Sequence, residues 1–416
     1  MGILEKTHDF YYKSEYAEKL GYPSNPRTLQ ALGLYPFFIP IQQSEGPEII
    51  INNKKYIMIG SNNYLGMTAH PLVKEAAIQA IKKYGTGCTG SRLLNGTLEI
   101  HLELEEKLAH FVGKEKALVF STGFQTNLGT ITAVVSNNDL VLSDKKTHAS
   151  IIDAIFLANS QKHIQMRFFK HNDANDLQKI ISRYAGEIGK LVVVDGVYSM
   201  EGDIADLPKI IPLCKKFKAL LMVDDAHGLG VLGGGRGTAV QFQCTDDIDL
   251  IMGTFSKSFA SIGGFIAGSK ELIHWIQHFA RPFIFSASLP PASVATVLAV
   301  LDIIQKEPEH AQRVIDISQR VRTELGNLGY HIGASRTPII PIIIGDQFKT
   351  VRAWHFLYQH GVFANVALPP AVPSHASLLR TSYMATHTDE QINRVLQAFK
   401  KLKESRITKN KVMRHE

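Results

Sequence analysis

The stretch GTFSKSFASIGG, residues 253 to 264, places a single lysine, Lys257, among glycine, serine and threonine residues directly after an apolar run. No acidic residue within the stretch could pair with its amine. A lysine that loses hydration can have a lowered pKa and can then attack an aldehyde to form a Schiff base. The composition of this stretch therefore indicates a reactive amine rather than a surface charge.

Pyridoxal phosphate is the commonest aldehyde partner of such a lysine, and it makes two further demands on a protein. Its ring nitrogen must stay protonated, which requires a carboxylate, and its phosphate needs hydroxyl and backbone N–H donors. Asp224 ends the apolar run ALLMV and is the candidate carboxylate. Thr254 and Ser256 flank the lysine with hydroxyls, and STGFQTN (121–127) predicts a glycine turn at a helix N-terminus.

A dinucleotide site and a metal site are weaker alternatives, and a Walker motif fails. HGLGVLGG (227–234) has the glycine spacing of a dinucleotide fingerprint, but the residues that follow it are too rich in glycine for the expected helix. A Walker motif would need glycines where Ile251 and Ser256 stand. Asp224 and His227 could ligate a metal, but no third ligand stands at a recognisable spacing, so we predict no metal.

Length and composition are typical of a globular enzyme. The chain has 416 residues, of which 45% are hydrophobic and 20% charged, and two domains are expected. Three cysteines without metal or disulfide spacing favour a reducing, cytoplasmic location. The sequence contains no signal-peptide pattern and no long apolar segment that would span a membrane.

The net charge of +7 comes mostly from the C-terminus, where residues 400 to 416 carry seven basic and two acidic residues. We therefore predict no nucleic-acid partner. A basic run of this kind is usually a solvated end, and the alternative is a peripheral contact with an anionic membrane at the inner face of the cell membrane.

The elements that position these residues alternate between apolar runs and amphipathic segments. The runs KALVFSTGF (116–124), KLVVVDGVYSMEGD (190–203), ALLMVDDAHG (219–228) and DLIMGTFSK (249–257) read as buried strands with polar residues at their ends. LELEEKLAHFVG (102–113) is helical, with Gly113 as a C-cap. The pattern predicts an α/β fold whose mostly parallel central sheet binds its ligand beyond the carboxyl ends of the strands.

The predicted organisation has four parts. An N-terminal segment covers residues 1–59, a large cofactor-binding domain 60–294, a smaller α+β C-terminal domain 295–404, and a basic tail 405–416. The small domain is expected to begin with a long helical pattern that reaches about residue 328.

Five motifs together resemble the α-oxoamine synthases, which are fold-type-I pyridoxal phosphate enzymes that condense an amino acid with an acyl-coenzyme A and release carbon dioxide. They are DGVYSMEGD, VDDAHGLG, GTFSKSFASIGG, FSASLPPA and LLRTSYMATHT. The resemblance extends from GSNNYLG (60–66) to about residue 400. It implies a fold-type-I transferase with pyridoxal 5'-phosphate as cofactor.

The resemblance also implies roles for individual residues. Lys257 matches the Schiff-base lysine that removes the substrate α-proton, and Asp224 matches the partner of the ring nitrogen. His227 matches the contact to the ring hydroxyl. His148 matches the histidine that stacks on the ring and positions the substrate carboxylate. Further cofactor contacts are expected from Gly123, Phe124, Ser199, Thr254 and Ser256, with Phe124 standing where many relatives carry tyrosine.

Four more residues take substrate or inter-subunit roles by the same resemblance. Arg380 in LLRTS matches the arginine that binds the substrate carboxylate, and Asn62 in SNNYLG is expected to assist it. Ser286 and Ala287 match a cofactor-binding segment donated by the neighbouring subunit. A homodimer with shared active sites is therefore implied.

Two loops bear on the substrates. Residues 85–109 and 367–373 are most similar to soluble bacterial family members that condense L-serine with palmitoyl-coenzyme A to 3-ketosphinganine, coenzyme A and carbon dioxide. We therefore expect L-serine and a long-chain acyl-coenzyme A as substrates. Two alternatives remain: a family member that uses glycine or alanine with a different acyl thioester, and a non-catalytic subunit.

Overall fold

The computed structural model describes residues 2–20, 22–184, 186, 188–373, 375–405 and 407. They form two compact units. The larger unit comprises residues 63–199 and 203–313, and the smaller unit comprises residues up to 62, 200–202 and from 314 onward. The predicted domain limits at 59, 294 and 404 remain a prediction, and the predicted basic tail lies outside the described residues except for Ser405 and Ile407.

The strands are β1 (Gln43–Glu45), β2 (Glu48–Ile51), β3 (Lys54–Met58), β4 (Lys116–Phe120), β5 (Leu140–Asp144), β6 (Gln165–Phe169), β7 (Lys190–Asp195), β8 (Leu220–Asp224), β9 (Leu250–Thr254), β10 (Gly264–Gly268), β11 (Ile339–Gly345), β12 (Val362–Phe363), β13 (Asn365–Ala367) and β14 (Ser377–Ser382).

The α-helices are α1 (Ile3–Tyr12), α2 (Ser14–Lys19), α3 (Pro26–Ala31), α4 (Pro71–Tyr84), α5 (Glu99–Val112), α6 (Gly123–Val134), α7 (Ala149–Lys162), α8 (Ala174–Ile181), α9 (Leu207–Phe217), α10 (Thr238–Gln241), α11 (Lys270–Phe279), α12 (Arg281–Ile284), α13 (Pro291–Lys306), α14 (Glu309–Asn327), α15 (Gln347–Gln359) and α16 (Asp389–Glu404). Short 3-10 helices cover Met67–Ala69 and Thr245–Asp247.

The larger unit is built on a seven-stranded sheet of order β4-β10-β9-β8-β7-β5-β6. Strand β10 pairs antiparallel with both neighbours, and the remaining pairs are parallel. Every residue of β5, β7 and β9 is buried, as expected for strands covered on both faces. The predicted mostly parallel central sheet is therefore confirmed.

Helices pack against this sheet through apolar faces. Ile131 of α6 and Ile151 and Ile155 of α7 belong to the same buried cluster as Val141 and Val193 of the strands. Helix α5 is capped by Gly113 with φ of 71°, the left-handed conformation that glycine adopts without strain, as the sequence predicts. Residues 228–237 form turns followed only by the four-residue helix α10, so the dinucleotide fingerprint lacks its helix.

The smaller unit contains two further sheets and its own core. Strands β1, β2 and β3 form an antiparallel meander that β12 extends in parallel, and β14 lies between β11 and β13 in an antiparallel sheet. Trp354, Tyr383 and Phe399 are fully or almost fully buried at its centre. This α+β architecture agrees with the predicted C-terminal fold.

The long helical pattern predicted before residue 328 is two helices. Helix α13 ends at Lys306 and α14 begins at Glu309, because Pro308 has no N–H and does not continue a helix. No helix within the described ranges is both long enough and apolar enough to cross a membrane.

Candidate active site

A cavity of about 310 Å³ opens in the larger unit, where β4, β7, β8 and β9 reach their carboxyl ends. Nine residues predicted from the sequence line it: Gly123, Phe124, His148, Ser199, Asp224, His227, Thr254, Ser256 and Lys257. The cavity is also lined by Asn127, Ser150 and Asp195, which the sequence did not single out. Residues from five separate segments thus meet at the sheet edge where an α/β fold binds its ligand.

Lys257 stands on a turn whose backbone is held by buried neighbours. Phe255 and Phe259 are fully buried on either side of it, and the Ser258 hydroxyl donates a 2.8 Å hydrogen bond to the carbonyl of Leu229. Phe255 also stacks on Phe265 with ring centres 5.8 Å apart. These contacts fix the turn, so the lysine side chain leaves it in a defined direction toward the cavity.

Asp224 is the last residue of β8 and is 4% exposed. Its Oδ2 accepts a 2.7 Å hydrogen bond from Asn127 Nδ2, and its Oδ1 accepts from the backbone N–H of Ala226 at 3.1 Å. A buried carboxylate needs such partners, since an isolated charge is costly to bury. The site therefore holds an oriented acceptor that suits a cationic ring nitrogen.

Hydroxyls and backbone donors gather at the start of α6. Thr122 caps this helix by accepting from the N–H of Gln125, and the Oγ atoms of Thr254 and Ser256 lie 2.9 Å apart. A Cβ on Gly123 would lie only 2.7 Å from Thr254 Oγ1, so this position has no room for a side chain. Helix N-terminus, hydroxyls and glycine together fit a phosphate group.

His148 caps α7 with its imidazole. Its Nδ1 accepts from the backbone N–H of Ser150 at 3.2 Å and lies 2.8 Å from Ser150 Oγ. Burial lowers the pKa of His148, and the nearby positive charge of Lys257 lowers it further, whereas the negative charges of Asp224 and Asp153 raise it. The ring is therefore favoured in its neutral form.

The His227 imidazole forms a hydrogen bond with Tyr64. Its Nδ1 lies 2.7 Å from the hydroxyl of Tyr64, and both side chains are buried. The imidazole is thereby fixed in orientation at the cavity wall. Phe124 lies at the same wall with 43% of its surface exposed, which leaves its ring open for packing.

Asp195 is a cavity residue that the sequence reasoning missed. It ends β7, pairs in register with Asp224, and accepts a 3.3 Å hydrogen bond from the N–H of His148. Burial and the neighbouring charge of Asp224 raise its pKa well above the usual carboxyl range. The sequence does contain a signal for it, because Asp195 follows an apolar run just as Asp224 does.

Ser286 and Ala287 contact the start of α6 within the same chain. Gln125 Nε2 donates to Ser286 Oγ at 3.0 Å, and the Ser121 hydroxyl donates to the carbonyl of Ala287. Their donation to a neighbouring subunit remains a prediction.

Arg380 and Asn62 belong to the smaller unit. Arg380 lies on β14, is 6% exposed, and donates from Nη2 to Asn62 Oδ1 at 2.9 Å. The structure therefore brings these two predicted residues together. Their role in binding the substrate carboxylate stays a prediction.

Comparisons with known proteins show which sequences the chain is similar to. The family described as aminotransferase class I and II matches residues 54–399. A serine palmitoyltransferase of Bacteriovorax stolpii is 50% identical over 89% of this chain and 88% of its own. An 8-amino-7-oxononanoate synthase of Thermoanaerobacter pseudethanolicus is 39% identical over 96% of this chain and 98% of its own.

A solved structure shows the same architecture. It is a variant serine palmitoyltransferase of S. paucimobilis with a bound PLP–myriocin aldimine, 35% identical, with a TM-score of 0.90. The match covers 97% of this chain and 99% of that one.

Proposed function

The chain belongs to the α-oxoamine synthases, a group of pyridoxal phosphate enzymes within the class I and II aminotransferase family, and from this premise we propose its reaction. It is a pyridoxal phosphate-dependent acyltransferase that condenses L-serine with palmitoyl-coenzyme A. The products are 3-ketosphinganine, coenzyme A and carbon dioxide, so the reaction is the first step of sphingolipid formation.

One observation carries the proposal most strongly. Lys257, Asp224 and His148 come from three segments more than 30 residues apart in the chain and line one cavity. An amine, a carboxylate and an imidazole in one pocket suit a bound aldehyde cofactor better than they suit a structural core.

The cavity residues divide between holding the cofactor and acting on the substrate. The cofactor, when bound, supplies an electron sink that stabilises negative charge on the amino-acid α-carbon. Asp224 would hold its ring nitrogen, and Gly123, Thr254 and Ser256 would hold its phosphate. His227 would hold the ring hydroxyl. The fit of Gly123 against Thr254 supports this arrangement, because no side chain fills the space at the helix N-terminus.

The steps performed by the protein follow from its donors and acceptors. The Lys257 amine takes the α-proton of serine as a general base. His148 orients the serine carboxylate so that its bond to the α-carbon can break after the acyl group has been transferred. Arg380 suits a substrate carboxylate, since a planar guanidinium can donate two parallel hydrogen bonds. A carbon–carbon bond forms between the α-carbon and the acyl carbonyl carbon as the carbon–sulfur bond breaks, and coenzyme A leaves as a thiol. The bond to the carboxylate then breaks, carbon dioxide is released, and the α-carbon takes up a proton.

The similarity pattern favours serine over the main alternative. The serine palmitoyltransferase relative is 50% identical, whereas the 8-amino-7-oxononanoate synthase relative is 39% identical. A family member that uses glycine or alanine with a different acyl thioester is therefore the second candidate. A non-catalytic subunit is disfavoured because Lys257 and its fixed turn are retained.

A homodimer with shared sites is part of the proposal. Ser286 and Ala287 lie beside the start of α6, close to the proposed phosphate site. A segment at this place could complete a neighbouring site when two chains associate. Measuring the molecular mass in solution will separate a dimer from a 46.1 kDa monomer.

We also propose a cytoplasmic location, with peripheral contact between the basic C-terminal residues and anionic lipid. The support is the excess of basic residues at positions 400 to 416. Co-sedimentation with anionic vesicles, with and without residues 404–416, distinguishes this contact from a solvated end.

Replacing Lys257 tests the function most simply. We expect Lys257→Ala to lose the visible absorption band of lysine-bound pyridoxal phosphate and to lower the condensation rate at least about 100-fold. Lys179→Ala removes an exposed lysine of α8 and should leave both readouts unchanged. Retained turnover in a folded Lys257→Ala protein would overturn the assigned role.

A further inference from the structure

Asn127 is a buried polar residue that the proposed function leaves without a role. It lies in α6 and is 1% exposed. Its Nδ2 is 2.7 Å from Asp224 Oδ2 and 2.8 Å from Ser150 Oγ. An ionised carboxylate can only accept hydrogen bonds, so the Asn127 atom that faces Asp224 must be the amide nitrogen.

The orientation of Asn127 fixes the hydroxyl of Ser150. Both amide hydrogens of Asn127 are used, one toward Asp224 and the other toward Ser150 Oγ. Ser150 Oγ therefore accepts from Asn127 and keeps its own hydrogen to donate elsewhere. The next polar atom is His148 Nδ1, at 2.8 Å.

His148 Nδ1 also faces a second group that can only donate a hydrogen bond. The backbone N–H of Ser150 points to the same nitrogen, with the two atoms 3.2 Å apart. A backbone N–H only donates, so Nδ1 must carry a lone pair rather than a proton. The single ring proton of a neutral imidazole is then on Nε2.

We propose that Asn127 and Ser150 form a hydrogen-bond relay from the carboxylate of Asp224 to the imidazole of His148, and that this relay holds His148 neutral with its proton on Nε2. The two residues are positioning residues, since they act through Asp224 and His148. The assignment of the His148 proton does not rest on the proposed function, whereas its effect on catalysis does.

The charged groups around His148 are consistent with this assignment. Asp224 on β8 and Asp153 on α7 favour a charged ring, whereas Lys257 after β9 opposes it. Asp195 on β7 accepts from the backbone N–H of His148 and not from its ring. Burial, which is the largest influence on His148, lowers its pKa and so works in the same direction as the relay.

The relay connects Asp224, which would hold the cofactor ring nitrogen, with His148, which would orient the serine carboxylate. The same Asn127 amide that orients the Asp224 carboxylate also orients Ser150, so a change at one end alters hydrogen bonding at the other. A neutral His148 can donate one hydrogen bond from Nε2 without carrying the positive charge that would compete with Lys257.

Nitrogen NMR of the cofactor-loaded protein labelled in its histidines tests the relay directly. The His148 signals are identified by their loss in His148→Gln. We expect an unprotonated Nδ1 and a protonated Nε2 near neutral pH. A protonated Nδ1 in the unaltered protein would overturn the proposal, whatever the enzyme's activity.

Ser150→Ala removes the relay hydroxyl but leaves the backbone donor. We expect the pKa of His148 to rise by about half to one unit, because one hydrogen bond that favours the neutral ring is lost. The acid limb of kcat/KM for L-serine should move upward by the same amount, and Ser150→Thr, which keeps the hydroxyl, should restore it. An unmoved His148 titration in Ser150→Ala contradicts the relay.

A matched control separates the relay from general packing. Ser318 is a fully buried serine of α14 whose hydroxyl donates to Val314, so Ser318→Ala also removes one buried hydroxyl. It should leave the His148 titration unchanged. In a His148→Gln background, Ser150→Ala should cause no further change in kcat/KM, and an additive loss would show that Ser150 acts independently of His148.

The outcomes also separate the two proposals. If His148 Nδ1 is unprotonated but the protein does not condense serine, the proposed function is wrong and the relay stands. If the protein condenses serine normally but Nδ1 is protonated, only the relay proposal is wrong.

Discussion

The carboxylate of Asp224 illustrates how single residues are prepared for chemistry at this site. It is buried, and each of its oxygens accepts a hydrogen bond, one from Asn127 and one from the backbone of Ala226. Because these donors are part of the folded chain, little reorganisation is needed when a cationic group approaches. Asp224 and its donors therefore act as a preformed acceptor.

Arg380 provides a residue-scale prediction for the substrate. We expect Arg380→Lys to raise the KM for L-serine about 10-fold to 100-fold, because a point charge replaces a planar pair of donors. The KM for the acyl-coenzyme A should change far less. Steady-state kinetics with each substrate varied in turn measures both values.

A partly buried arginine elsewhere in the smaller unit serves as the control. Arg322 donates to the carbonyl of Thr337 at 2.7 Å, and Arg322→Lys should leave the serine KM unchanged. An equal rise of both KM values in Arg380→Lys would argue against specific recognition of the serine carboxylate.

Residue-level prediction from sequence worked where polar side chains follow apolar runs. Asp224 and Thr254 end strands and Lys257 lies just after one, so their shared position followed from the alternating pattern. Asn127 lies inside a helix and Ser150 in the first turn of another, where these residue types are ordinary. Only the folded chain shows that they meet between Asp224 and His148.

At the scale of elements, a partly buried ionic cluster joins two strand ends to a loop. His171, just after β6, lies 3.1 Å from Asp144 at the end of β5 and 3.0 Å from Asp203. The Tyr198 hydroxyl donates to the same Asp144 carboxylate at 2.9 Å. Burial opposes a charge on His171, but the hydrogen bonds to both carboxylates outweigh it and raise its pKa to about 9.

This cluster predicts a pH-dependent contribution to stability. Because the pKa of His171 is raised on folding from 6.5 to about 9, the contribution is complete below pH 6.5 and is lost as the pH rises through about 9. We expect His171→Gln to lower the thermal midpoint most at acidic pH. The difference from the unaltered protein should shrink between those two pH values.

Thermal unfolding of both proteins across this pH range measures the effect. The control is His278→Gln, which removes an exposed histidine of α11 and should cause no such trend. A gap between His171→Gln and the unaltered protein that widens with rising pH would contradict the assigned charge.

Prediction of the elements was limited by what periodicity can show. The buried strands β4, β7, β8 and β9 followed from apolar runs, whereas the antiparallel strand β10 is a short glycine-bounded run without a distinct pattern. The break between α13 and α14 depends on Pro308, which interrupts an otherwise continuous helical spacing. These two features depend on single glycine and proline residues and not on the periodicity of hydrophobic residues.

At the scale of the whole molecule, long-range pairing determines the architecture of the smaller unit. Strand β12 pairs in parallel with β3, which lies about 300 residues earlier in the chain. Asn62 and Arg380 are brought together from similarly distant positions. Such pairings have no local sequence signal, so motifs shared with a family were needed to place these two residues in one site.

The family resemblance gave the reaction class, and the overall comparison supports it. Similarity to serine palmitoyltransferases extends over most of the chain, and one solved structure has a TM-score of 0.90. The acyl-chain preference depends on the shape of a whole binding surface and cannot be read from strand-end residues.

The most direct test is a product measurement on the purified protein supplied with pyridoxal phosphate, palmitoyl-coenzyme A and L-serine labelled in its carboxyl carbon. We predict equal amounts of 3-ketosphinganine, free coenzyme A and labelled carbon dioxide, with a rate at least about 10-fold higher than with glycine or L-alanine. Faster turnover of glycine or alanine, or coenzyme A release without labelled carbon dioxide, would contradict the proposed reaction.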